Sequence, residues 1–193
     1  MSGVLGSRGR VVGLVIGVVV ILIAATGVGV YGGVFDVAAD TPHSQPVYWL
    51  LQTIRQRSIA TRATNPVPAD LSDPKRVAAG AAQYAEMCSG CHLGPGMKRT
   101  ELSQGLYPRA PELRRGSRLT STEEFWIIKH GIKMTGMPAW GVTHKDENLW
   151  DIVAFVRKMP ELTADEYQAL VKSSPKTHDE MMQEMDMKSH DHH

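Results

Sequence analysis

The sequence predicts an all-α chain: one long apolar helix, then a small domain of about three to four helices. Three observations carry this expectation. Val11 to Phe35 form 25 consecutive uncharged residues rich in Val, Ile and Leu. Beyond them, apolar residues recur at helical spacing between recognisable cap signals. No alternating Val/Ile/Tyr-rich stretch of the strand type surrounds the two cysteines.

Charge divides the chain more sharply than its total suggests. The 193 residues carry 21 Lys+Arg and 20 Asp+Glu, a formal net charge of +1. That balance gives no support for nucleic-acid binding, and no basic stripe appears. Residues 1–35 carry only Arg8 and Arg10, and residues 36–71 hold three charges of each sign. Residues 72–160 have 13 bases against 9 acids, while residues 161–193 have 3 against 8. Two cysteines are too few for a disulfide scaffold or a zinc ribbon.

The expected organisation follows these blocks. Residues 1–10 form a cytoplasmic N-terminus and 11–35 a transmembrane anchor. At about 1.5 Å per residue, the anchor reaches about 37 Å, against a hydrocarbon core of about 30 Å. The run is too long for an ordinary secretory signal, although Val37-Ala38-Ala39 would suit a cleavage site. Arg8 and Arg10 keep the N-terminus inside and place the remainder outside. Residues 36–71 are a proline-punctuated connector. Within it, Tyr48, Leu51, Ile54 and Arg55 predict a short amphipathic helix, destined for the membrane surface or for the domain that follows.

The chemistry lies at Cys88-Ser89-Gly90-Cys91-His92, the spacing of covalent c-type haem attachment. Two thiols one helical turn apart can add to two vinyl groups, and the adjacent histidine then meets the iron. A redox dithiol would need a βαβ setting, which the flanking sequence lacks. Gly136-Met137-Pro138-Ala139-Trp140 supplies a thioether 45 residues after His92, a soft ligand suited to haem iron opposite histidine. Met134 and His130 are the competing sixth ligands, and an open site is the remaining alternative.

Residues 72–160 therefore resemble a class I cytochrome c, of the bacterial membrane-anchored, single-haem kind. The resemblance implies a class I fold around one covalent haem c, with the first and last helices crossing. Gly80 and Tyr84 stand at the crossing positions of the first helix, with Ile152 and Phe155 as partners on the last. It also implies that a proline carbonyl accepts from the proximal histidine. Pro111 fits that place, with Pro108 as competitor. The cofactor-binding residues are then Cys88, Cys91, His92, Met137 and Pro111, with His92 and Met137 as the iron ligands.

Cap signals set the expected helix limits. Asp73-Pro74 opens the first domain helix, which runs through Val77, Gly80, Ala81, Tyr84 and Met87. Ser121-x-x-Glu124 opens the next, ended by Gly131, and Thr143-x-x-Asp146 opens the last, ended by Met159-Pro160. Met97 reads as packing, His130 as a helix-terminal histidine, and Trp126 and Trp140 as core or haem-pocket aromatics.

Residues 161–177 predict a short helix from Thr163-x-x-Glu166 and a linker. Residues 178–193 form a tail expected to be disordered. It gathers His178, Met181, Met182, Met185, Met187, His190, His192 and His193, soft and imidazole donors that predict copper binding. The whole reads as a one-electron carrier, not itself an enzyme, in a bacterial inner membrane, single-pass, with the haem domain in the periplasm. The alternatives are a subunit of a larger oxidase or dehydrogenase and a copper-handling haem protein. Clustered Arg109, Arg114, Arg115 and Arg118 predict redox partners with an acidic docking face.

Overall fold

The computed structural model describes residues 2–174 and Glu180. The described residues are all-helical, without a strand. They fall into two units that divide between Thr41 and Pro42.

The first unit is α1 (Ser2–Tyr31), whose stretch Arg8–Tyr31 is long and apolar enough to cross a membrane. The uncharged run continues to Phe35, but the helix does not. Gly32 and Gly33 follow Tyr31 in a turn, and Gly33 adopts φ +68°, which a residue with a Cβ adopts only at a cost.

The second unit holds α2 (Gln45–Arg62), α3 (Pro74–Met87), α4 (Ser89–His92), α5 (Glu101–Gly105), α6 (Ser121–His130), α7 (Asp146–Lys158) and α8 (Ala164–Ser173). Short 3₁₀ turns cover Leu113–Arg115, Trp140–Val142 and Met159–Glu161. The frame is the crossing of α3 and α7. Asp73 caps α3 by accepting from Lys75 N, with Pro74 in the first turn where no N–H is needed. At the crossing, a Cβ on Gly80 would collide with the Asp151 carbonyl and crowd Phe155 Cβ, so the two backbones touch. Tyr84 and Phe155 pack with ring centroids 5.1 Å apart. Both are fully buried, as are Leu149, Ile152, Val153 and Met159, which contribute about 1.5–3 kcal/mol each relative to exposure. Arg76 clamps the same crossing, reaching Asp151 at 2.6 Å and Asp70 at 3.0 Å.

Two helix starts differ from the sequence expectation. Thr120, not Ser121, caps α6: its hydroxyl accepts from Glu123 N while the Glu123 carboxylate accepts from Thr120 N. The one-residue shift releases Glu124 from the cap and turns it into the interior. Helix α7 starts at Asp146 after Lys145, and Thr143 instead donates to the Trp140 carbonyl and meets the His144 ring. Helix α8 begins with the expected Thr163–Glu166 box and lays Tyr167 on Phe155 and Gly94.

Helix α2 turns a different face inward from the one its apolar residues suggested. Ile59 is 5 % exposed and is the buried residue of the helix, with Gln52 and Arg55 half-buried on the same side. Val47, Leu50, Leu51 and Ile54, spaced for one face, remain exposed, and so do Tyr48 and Trp49. The backbone N–H of His43, ahead of α2, donates to Tyr107 Oη, and the two rings meet edge-on. The copper-tail residues 178–193 lie outside the described residues, apart from Glu180.

Candidate cofactor site

The two cysteines and His92 are positioned by the end of α3 and the single turn α4. Cys88 caps both the end of α3 and the start of α4, and its carbonyl accepts from both Cys91 N and His92 N. The three side chains thus share one tight turn. Leu93 then reverses the chain at φ 61°, rare for a bulky residue and costing about 1–3 kcal/mol. Burial of its side chain and the bond from Tyr84 Oη to its carbonyl, at 2.6 Å, hold it there. Thr100, which caps α5, donates its hydroxyl to the Gly90 carbonyl and ties α5 to the same turn. Met97 takes the packing role expected of it and accepts from Gly94 N.

His92 Nδ1 lies 2.9 Å from the carbonyl oxygen of Pro111. A carbonyl only accepts, so Nδ1 carries the proton and Nε2 keeps its lone pair. Burial lowers the His92 pKa, opposed by that hydrogen bond, so the ring is held neutral as a metal ligand must be. Burial pushes the Cys88 thiol up to about 12, and it raises Cys91 as well. A reactive dithiol needs the opposite shift, which sets the redox-dithiol reading aside.

Met137 is positioned by the turn after α6. Gly131 ends that helix at φ +64°, and a Cβ there would sit 2.7 Å from the Met137 carbonyl oxygen. Ile132 N donates to the same carbonyl at 3.2 Å, and Thr135 Oγ1 accepts from Met137 N at 3.1 Å. Met137 is half-buried against the core, whereas Met134 is 95 % exposed.

One cavity of about 750 Å³ gathers Cys88, Cys91, His92, Pro111 and Met137. Its walls include Leu106, Leu113, Ile127, Ile128, Ile132, Trp140 and Val156. Size and lining suit a large, flat, apolar cofactor with few polar anchors. The donor set fits haem c: two thiols in one turn, an imidazole with a free Nε2, and a thioether in the same cavity. Met134, His130 and Trp126 do not line this cavity. His130 lies in the last turn of α6 with its ring against Trp126, as its helix-terminal reading implied.

Other parts of the site were not legible in the sequence. Glu124 is buried in the cavity wall, its oxygens lacking a hydrogen-bond partner and its nearest cation Arg157 at 3.5 Å. Burial raises its pKa. The sequence signal was spent on a cap one residue out of register. Arg55, Gln56, Arg57, Ile59 and Ala60 of α2 also line the cavity. The four clustered arginines divide into two kinds. Arg114 and Arg115 pair with Glu112 at 3.0 and 2.9 Å, while Arg109 and Arg118 face the cavity.

A small helical domain with a Cys-x-x-Cys-His turn and a methionine in one apolar cavity defines the class: this domain is a class I c-type cytochrome, and haem c is the cofactor that class implies. Residues 75–156, 82 of the 193, are similar to the family described as cytochrome c oxidase, cbb3-type, subunit III. No curated protein and no solved structure matched.

Proposed function

We propose that the chain is a membrane-anchored, single-haem electron carrier whose haem domain faces the periplasm. The observation that carries this reading is that Cys88, Cys91, His92 and Met137 line one cavity, with His92 Nδ1 taken up by the Pro111 carbonyl. Haem c, when bound there, supplies one-electron chemistry at its iron. The chain does the rest. Cys88 and Cys91 anchor the group covalently. Pro111 fixes the orientation of His92, and His92 and Met137 would hold the iron between them, a ligand pair suited to electron transfer. The apolar walls exclude water.

Membrane attachment is supported by the apolar stretch Arg8–Tyr31 and by the outward stripe Val47, Leu50, Leu51 and Ile54 on a helix without an acid. Such an exposed apolar stripe suits a lipid interface. The family description favours a second reading, membership of an oxidase assembly that the domain supplies with electrons. Copper binding by residues 178–193 is a separate proposal resting on composition alone. Among the described residues no cluster of three His, Cys, Asp or Glu forms a metal site.

The test is a reduced-minus-oxidised spectrum of membranes, with haem remaining on the chain after denaturation. Matured protein with two free thiols and no haem overturns the reading. Protease outside spheroplasts should release a soluble haem fragment beginning in the connector. Copurification of a large partner complex distinguishes the oxidase-subunit reading from a free carrier.

A further inference from the structure

The segment matching the family begins at residue 75, yet the cavity does not close with residues 75–156 alone. Part of its wall comes from α2, well upstream. Ile59 is buried there, and Arg55 and Arg57 stand at the cavity beside Arg109 and Arg118. Among the described residues, none of these four guanidinium groups makes an ion pair. The acids of the same wall are already engaged: Glu123 in the α6 cap and Glu124 with Arg157. Four unpaired cations among the lining of one largely apolar cavity offer counter-charge for a ligand with more than one anionic group. Guanidinium is the cation best shaped for carboxylate.

Resting on the haem reading above, we infer that α2 is an integral wall of the cofactor site. Arg55 and Arg57, with Arg109 and Arg118, hold the two propionate carboxylates of haem, and Ile59 closes the cavity against water. The consequence is electrostatic. Cations beside the propionates favour the iron state of lower positive charge, so α2 raises the reduction potential. It is also steric, because an external ligand reaching the iron must pass a helix pinned by Ile59.

The experiment uses the full-length, haem-loaded chain. Arg55→Gln/Arg57→Gln is compared with Arg62→Gln, a helix residue that bonds Ser58 and does not line the cavity. Ile59→Ala is measured alongside. The double variant should lower the potential relative to both wild type and Arg62→Gln. Ile59→Ala should speed imidazole binding to the ferric protein by about tenfold, the effect of about 1.4 kcal/mol of easier opening. Covalent haem retained with a potential and imidazole rates equal to those of the Arg62→Gln control overturns this inference alone. Absence of covalent haem overturns it together with the proposed function.

Discussion

The two sides of the cofactor cavity are built differently. The histidine side is over-determined. Cys88, Cys91 and His92 share one turn, Pro111 orients the ring, Tyr84 pins Leu93, and the α3–α7 crossing lies against them. The methionine side is a loop held by few bonds: Ile132 N to the Met137 carbonyl, Thr135 to the Met137 N–H, and a glycine at positive φ. One side is a rigid bed, while the other is a clasp. A c-type haem stays covalently on its bed, so only the clasp can open reversibly.

Substitutions can break or sharpen that contrast, from the largest expected effect downward. His92→Ala should abolish the low-spin spectrum altogether, since the ligand vanishes and the Pro111 carbonyl loses its partner; the visible spectrum of purified protein checks this. Met137→Ala should leave haem attached but open the sixth position. Carbon monoxide should then bind the ferrous form, the potential should fall and the ferric sulfur-to-iron charge-transfer band should disappear. Met134→Ala should do none of these. If Met134→Ala removes the band and Met137→Ala keeps it, the ligand assignment is wrong.

The smaller effects probe the clasp. Gly131→Ala places a Cβ at positive φ and 2.7 Å from the Met137 carbonyl oxygen. It should destabilise the loop by about 2 kcal/mol, read as faster imidazole displacement of the methionine and a lower denaturation midpoint. Thr135→Val removes the acceptor for Met137 N and the donor to the Ile132 carbonyl, at 3.1 and 2.8 Å. Its cost should be about 1 kcal/mol, and imidazole displacement should speed up about fivefold. Equal rates for Thr135→Val and wild type would mean the loop is braced by packing and not by that hydroxyl.

The same contrast explains what the sequence could disclose. Local chemistry is legible: a five-residue motif, a Gly-Met-Pro turn, and Asp73 ahead of Pro74 each carry their meaning within a few residues. The all-helical class was legible for the same reason, since 3–4 spacing is a local signal. Register and facing were not. Ser121 and Thr120 are both competent caps, and only the packing of Phe125 against Trp150, with ring centroids 4.1 Å apart, decides which residue of the following turn goes inside. That decision put Glu124 in the cavity wall. In α2, the apolar stripe and the buried face are different faces, because Arg55 and Ile59 meet a cavity that exists only after α6 and the Pro111 loop are in place. Amphipathicity alone cannot say which neighbour a helix will find.

The contact of backbones at Gly80 has a consequence for the rate of electron exchange. Electron transfer is slowed whenever the surroundings of the redox centre must rearrange as its charge changes. Here the histidine turn follows directly on a helix whose main chain abuts that of α7, with no side chain between them to compress or re-rotamerise. Close-packed interiors yield little to small forces. The His92 ring is therefore held at nearly one position, and the adjustment that a change of iron charge would ask of the chain would fall mainly on the methionine loop. Widening the α3–α7 crossing by a single methyl at Gly80 would loosen that restraint at its source.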